Sequence, residues 1–157
     1  MVRLESLAAD DPRSHALLVE YFHSRAESFP GGPQAYRPVF PAASVFTPPA
    51  GVFLVVVDED GRDAGCGGIR RIDDGPSGAR YEVKHLFLQP RTRGRGWGRV
   101  LLDALEERAR GFDAAELVLD THHTLEAAGA LYTRSGFSPI APYNDNPNAT
   151  VWLGKSL

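Results

Sequence analysis

The stretch Leu86-Phe87-Leu88-Gln89-Pro90-Arg91-Thr92-Arg93-Gly94-Arg95-Gly96-Trp97-Gly98-Arg99-Val100-Leu101-Leu102 constrains the fold more than any other part of the chain. Residues 80–88 read as a strand that meets Pro90, and Leu101, Leu102, Leu105 and Ala109 then recur on one face of a helix. A strand that passes through a glycine-spaced turn directly into a helix belongs to an α/β layer architecture. The first amides of such a helix have no intrahelical acceptor and point outward, and the macrodipole adds partial positive charge. Glycines at 94, 96 and 98 keep side-chain carbons out of the way of an approaching ligand. The turn is therefore suited to cradle a phosphate or pyrophosphate.

The charge pattern agrees. Fifteen of the 17 basic residues are arginines, only Lys84 and Lys155 being lysines, and Arg80, Arg91, Arg93, Arg95 and Arg99 crowd around the turn although the formal net charge is −3. This points to a local anionic ligand and not to a nucleic-acid partner. A length of 157 residues, 43% hydrophobic, suits one domain over residues 1–157, because two would each be too small to bury an adequate core unaided. The single cysteine, Cys66, allows neither an internal disulfide nor a thiolate zinc cluster. The first six residues lack an apolar signal region and the longest apolar run is 52–57, so no membrane association is expected and a cytoplasmic location is.

Along the chain, residues 2–7 read as a short strand. Asp11 is placed to cap a helix with Pro12 at its first position, and Leu17, Leu18, Tyr21 and Phe22 mark its buried face as far as about Phe29. Residues 30–50 read as a Pro-rich loop whose aromatics pack over something. Residues 52–57 form a buried strand, 58–61 a tight turn, and the partner strand runs to Ile72. A second turn over 73–78 leads to the strand at 80–88. After the glycine turn and its helix, residues 116–121 form a fifth strand. Thr124 is expected to cap a helix ending at Gly136, and residues 149–155 form the last strand. The expected fold is a mixed, mostly antiparallel β-sheet flanked by helices, with a βαβ core at the ligand turn.

Two phosphate-binding fingerprints fail. No Gly-Lys-Ser/Thr follows the turn, which excludes a Walker loop, and Arg99 stands where the dinucleotide fingerprint needs its third glycine. Arg91-x-x-Gly94-x-Gly96, after Leu86-Phe87-Leu88 and before a leucine-rich helix, instead resembles the acyl-CoA-binding motif of the GNAT superfamily of N-acetyltransferases. Ala130-Leu131-Tyr132-Thr133-Arg134-Ser135-Gly136-Phe137 is similar to the segment that ends that superfamily's last long helix, and the order of elements fits throughout.

The resemblance implies acetyl-CoA as acyl donor, with no metal and no acyl-cysteine. Main-chain groups of Leu86, Phe87 and Leu88 would pair with the pantetheine arm. Amides from Arg93 through Gly94, Arg95, Gly96, Trp97 and Gly98 would hold the pyrophosphate, and the side chains of Arg93, Arg95 and Arg99 become candidates for the adenosine phosphates. Trp97 departs from the small aliphatic residue usual there and reads as a packing residue. Leu125 occupies the place of an asparagine that often contacts pantetheine.

The implied reaction is direct attack of a primary amine on the thioester in a ternary complex. An alkylamine of pKa about 10 must first lose a proton, and a thiolate whose parent pKa is about 8.5 leaves more readily beside an acid. By the resemblance, Glu82 is the candidate base, often acting through water, and Tyr132 the candidate acid. Two alternatives stand beside them: Glu82 as the partner of Arg70 or Arg71 in a cross-strand ion pair, and Tyr132 as a core aromatic. Strand alternation puts Glu82 and Lys84 on one face and Tyr81, Val83, His85 and Phe87 on the other. His85 is the other candidate base, or else a core histidine.

His122 and His123 read as exposed loop residues, Asp120 and Glu126 as loop-shaping, and Cys66 as a small buried residue. The acceptor pocket is expected to form from residues 30–50, the start of the strand at 80, and residues 143–147. Within it, Asp145 is placed for a cationic amine and Arg37 for a carboxylate. The expected partner is a small-molecule amine, an amino acid or a polyamine, with a homodimer left open. A non-catalytic acyl-CoA-binding sensor is the alternative function.

Overall fold

A computed structural model describes residues 1–157. The strands are β1 (Arg3–Ser6), β2 (Gly51–Val57), β3 (Asp63–Gly75), β4 (Gly78–Leu88), β5 (Glu116–Thr121), β6 (Ser138–Pro139) and β7 (Val151–Ser156), and the helices are α1 (Pro12–Ser28), α2 (Trp97–Gly111) and α3 (Glu126–Arg134). They build one open α/β sheet in the order β1-β2-β3-β4-β5-β7-β6. Every pairing is antiparallel except that of β4 with β5, which α2 connects. No helix is long and apolar enough to cross a membrane.

Both faces of the sheet are covered, and β2 shows why its sequence is apolar without interruption. Val52, Leu54 and Val56 join a core with Leu101, Leu102 and Leu105 of α2. The alternate residues Phe53, Val55 and Val57 join a second core with Leu17, Leu18 and Phe22 of α1. A strand buried on both sides needs apolar residues at both parities. Asp11 caps α1 as expected, its carboxylate accepting from the amide of Arg13 at 2.9 Å. Between Pro33 and Phe46 the chain makes two short 3₁₀ turns, and its aromatics cover α1: Tyr36 and Phe46 are buried, and Phe40 lies edge-on to Phe22 at 4.9 Å. Gly68 is essential to this cover, because a Cβ there would meet the Phe46 ring at 2.7 Å.

The structure departs from simple alternation along β4. Tyr81 and Val83 pack on the α2 side, but so do Leu86 and Leu88, whereas Phe87 packs on the α1 side. The register explains it: Gly68 pairs with Lys84 and Cys66 with Phe87, so β4 holds one residue more than β3, and His85 takes φ of 58°. This β-bulge moves His85 onto the face of Glu82, opposite to the alternating expectation.

Other boundaries also shift. β3 extends to Gly75, past the expected end at Ile72, and the two-residue β6 has no apolar pattern of its own. Thr124 does not cap α3; its hydroxyl is 2.8 Å from Nδ1 of His122, and α3 starts after Leu125 without a side-chain cap.

Candidate active site

The turn between β4 and α2 matches its sequence expectation at Gly94 and Gly96 but not at Arg93, whose amide already donates to the main-chain oxygen of Pro90 at 3.3 Å. Gly94 and Gly96 have φ of 81° and 80°, the left-handed region that side chains disfavour, and no atom stands within 4 Å of where either Cβ would be. Gly96 caps α2 without a side chain, and no main-chain oxygen takes the amides of Gly94, Arg95, Gly96, Trp97, Gly98 or Arg99. The turn is a concave row of free donors at a helix N-terminus, the arrangement that receives phosphate.

The arginines around it divide into different tasks. Arg91 is structural: its Nη1 donates to Asp58 at 2.8 Å, fastening the turn to the hairpin between β2 and β3. Arg95 lies over the Trp97 ring at 5.4 Å, and Trp97 packs against the α2-side core, as a packing residue should. Arg99 donates to Asp103 at 2.9 Å. Arg93 is exposed and engages no side chain.

Next to the turn the sheet opens. β4 and β5 pair only from Arg80 with Glu116 to Glu82 with Val118, and beyond that point the strands part. A cavity of about 610 Å³ occupies the opening, reached by Val83, Lys84, His85 and Leu86 from one strand and Leu119, Asp120 and Thr121 from the other. The free strand edge at 86–88 and the free amides at 94–99 are continuous along the chain. Together they fit an elongated ligand with a strand-like arm and a phosphate end, as an acyl-CoA has.

Tyr132 of α3 lines this cavity and is 7% exposed. Burial pushes its phenol up to about 12, so the hydroxyl carries its proton at neutral pH. His85 also lines the cavity, among Tyr21, Phe22 and Phe46. Burial, aided by Lys84 and Arg70, pushes its imidazole down to about 3. It is therefore neutral at physiological pH and a poor acceptor for an ammonium proton.

Glu82 is 1% exposed and lies beside the cavity wall, held from several directions. Arg70 Nε donates to Oε1 at 2.9 Å, the Tyr143 hydroxyl donates to Oε2 at 2.6 Å, and Lys84 Nζ stands 4.0 Å from Oε2 and 3.6 Å from Asp120. The cross-strand ion pair with Arg70 is thus present. Burial and the Glu82 carboxylate push the Tyr143 phenol well up, so it remains the donor. Asp120 in turn accepts from Asn144 at 2.7 Å, and Asn144 accepts from Trp152.

Tyr132, His85 and Arg37 all reach the cavity, and Glu82 reaches its charged wall. Leu125, in place of the asparagine, lines it with an apolar side chain. Asp145 is exposed and not part of the lining; Asn144, Asn146 and Asn148 are. His122 is buried at 6% exposure against Phe29, contrary to the exposed position expected, while His123 is exposed. Cys66 is fully buried, and burial pushes its thiol up, as for an inert core residue. Asn144 and Asn146 line the cavity as expected of residues 143–147, whereas sequence reasoning missed Arg25, Lys84 and Asn148 as cavity residues. They come from distant segments and carry no shared motif.

Comparison with known proteins covers most of the chain. Residues 15–137 match the model of the acetyltransferase (GNAT) family. An IAA acetyltransferase of Azospirillum brasilense is 36% identical over 107 residues, which are 66% of this chain and 67% of that protein. A mycothiol acetyltransferase of Beutenbergia cavernae is 44% identical over 68 residues, 42% of this chain and 22% of that protein. Among solved structures, one from Klebsiella pneumoniae assigned as an acyl-CoA N-acyltransferase superposes with TM-score 0.79 at 29% identity, covering 100% of this chain and 98% of the other.

Proposed function

This chain belongs to the GNAT acetyltransferase family, whose enzymes are acyl-CoA-dependent N-acetyltransferases, and from that premise we propose that it transfers an acetyl group from acetyl-CoA to the primary amine of a small molecule. The carrying observation is the continuity of three features: the free amides at 94–99, the free edge of β4, and a cavity into which Tyr132 presents a protonated phenol.

Main-chain groups of Leu86, Phe87 and Leu88 bind the pantetheine arm, and the free amides of the turn from Gly94 to Gly98 bind the pyrophosphate, the Arg93 amide being taken by Pro90. The side chains of Arg93, Arg95 and Arg99 serve the adenosine part's remaining phosphate. When bound, acetyl-CoA supplies an acetyl carbon activated as a thioester, to which the amine nitrogen bonds as the carbon–sulfur bond breaks. Tyr132 gives its phenolic proton to the departing sulfur. Glu82, fixed by Arg70 and Tyr143, is the final acceptor of the amine's proton, through water, because its burial leaves no direct approach from the cavity. The ammonium form of the acceptor loses one proton to solvent before attack and a second through water to Glu82, which passes it through solvent to Tyr132, so both side chains are reset and one proton is released per turnover.

Release of CoA from acetyl-CoA over a panel of amines tests the proposal directly. Acceptor-dependent release supports the transferase. Tight binding of acetyl-CoA with no release for any amine would favour the sensor reading, which needs the turn but neither Glu82 nor Tyr132.

A further inference from the structure

Four cations line the cavity, Arg25, Arg37, Arg70 and Lys84, and one carboxylate, that of Asp120. Arg70 and Lys84 are compensated, by Glu82 and by Asp120. Arg25 and Arg37 pair with no carboxylate. Arg37 is exposed, and its Nη1 donates to the main-chain oxygen of Gln34. Arg25 is 9% exposed, sits 5.3 Å from the Tyr36 ring centre and 5.8 Å from that of Phe29, and donates one long bond from Nη2 to the main-chain oxygen of Asn148 at 3.5 Å.

Its other terminal nitrogen, Nη1, is buried and has no partner, and neither has the side-chain oxygen of the adjoining Asn148. A buried guanidinium with an empty donor is costly to keep unless something arrives to meet it. The fork of a guanidinium matches the two oxygens of a carboxylate. The rest of the wall on that side is aromatic, formed by Tyr21, Phe22, Tyr36, Phe40 and Phe46.

Resting on the transferase reading above, we propose that the acceptor is an amine with an apolar body and a carboxylate, and that Arg25, assisted by Arg37, is the carboxylate-recognising residue. A polyamine fits this cavity poorly, because it would bring more positive charge to a wall already in excess of it.

The test compares matched acceptors in the intact protein: free amino acids, their carboxamides and the amines lacking the carboxyl group, as in phenylalanine, phenylalaninamide and phenethylamine, with spermidine alongside. The expected result is at least a tenfold higher kcat/KM for the carboxylates, with the ratio falling toward one in Arg25→Gln and falling less in Arg37→Gln. A second arm needs no turnover: 3-phenylpropionate raises the melting temperature and 3-phenylpropanamide does not. This arm uses unaltered protein, so a poorly folding Arg25→Gln leaves the proposal exposed. Turnover with equal or greater preference for phenethylamine or spermidine overturns the carboxylate site and leaves the transferase standing. An acid-selective thermal shift without turnover of any amine supports the carboxylate site and counts against the transferase. Absence of both effects overturns both.

Discussion

The two halves of the site are built in opposite ways. The glycine turn is one continuous segment, and its donors are main-chain amides at 94–99. The cavity wall draws side chains from α1, the 33–46 segment, β3, β4, β5, α3 and the 144–148 loop. A main-chain site depends on backbone conformation and is encoded by glycines at fixed spacing. A side-chain site depends on register and packing between segments far apart in sequence, so its composition can change while the turn stays the same. The difference explains how one fold keeps its donor and changes its acceptor.

Substitutions can sharpen this contrast. Tyr132→Phe should have the largest effect, lowering kcat by about 10²- to 10³-fold, the range of a lost general acid. Acetyl-CoA affinity measured calorimetrically should hold within about threefold if, as proposed, the phenol works on the reacting sulfur and the turn holds the phosphates. Equal losses in affinity and kcat would break the separation. Glu82→Gln should lower kcat/KM by roughly 10- to 100-fold and remove the acidic limb of the pH–rate profile, while Asp120→Asn keeps that limb. A limb that survives in Glu82→Gln and disappears in Asp120→Asn transfers the base to Asp120.

On the other half, Gly96→Ala should weaken acetyl-CoA by about tenfold, because a side chain at φ of 80° costs about 1–2 kcal/mol even where space is open. Arg93→Ala should have the smallest effect on the same measurement, about two- to fivefold, as for one exposed charge. If Arg93→Ala weakens binding more than Gly96→Ala, the turn is a side-chain site after all.

His85 adds a pH test of the cavity side. Its folded pKa of about 3 lies below the ordinary value near 6.5, so the unfolded chain binds the proton more readily between these values. Its contribution to stability is complete above about pH 6.5 and is lost as the pH falls toward 3, by at most about 1.4 kcal/mol per pH unit. His85→Phe should flatten the fall in melting temperature between pH 6.5 and 4.

The legible parts of this molecule are those that a short segment determines. Gly94, Gly96, the Asp11 cap, the doubly buried β2 and the αL glycine at 136 follow from local chemistry, and the structure contains each of them. His85 shows the limit. The inserted residue in β4 is set by pairing against Gly68 and Cys66, so alternation along β4 alone put His85 on the wrong face. Thr124 had the right type for a cap, but His122 competed for its hydroxyl. Arg25 was invisible as a site residue because its importance comes from Asn148, Phe29 and Tyr36, and from the absence of a carboxylate near it.

The parting of β4 from β5 also bears on how the protein survives in a crowded solution. Two strands that separate inside a sheet expose unpaired edges, and exposed edges are templates for other chains. An arm lying in the opening would cover them. Depletion of the acyl donor should therefore leave the protein more prone to aggregate, so that its solubility, and not only its turnover, follows the supply of its own substrate.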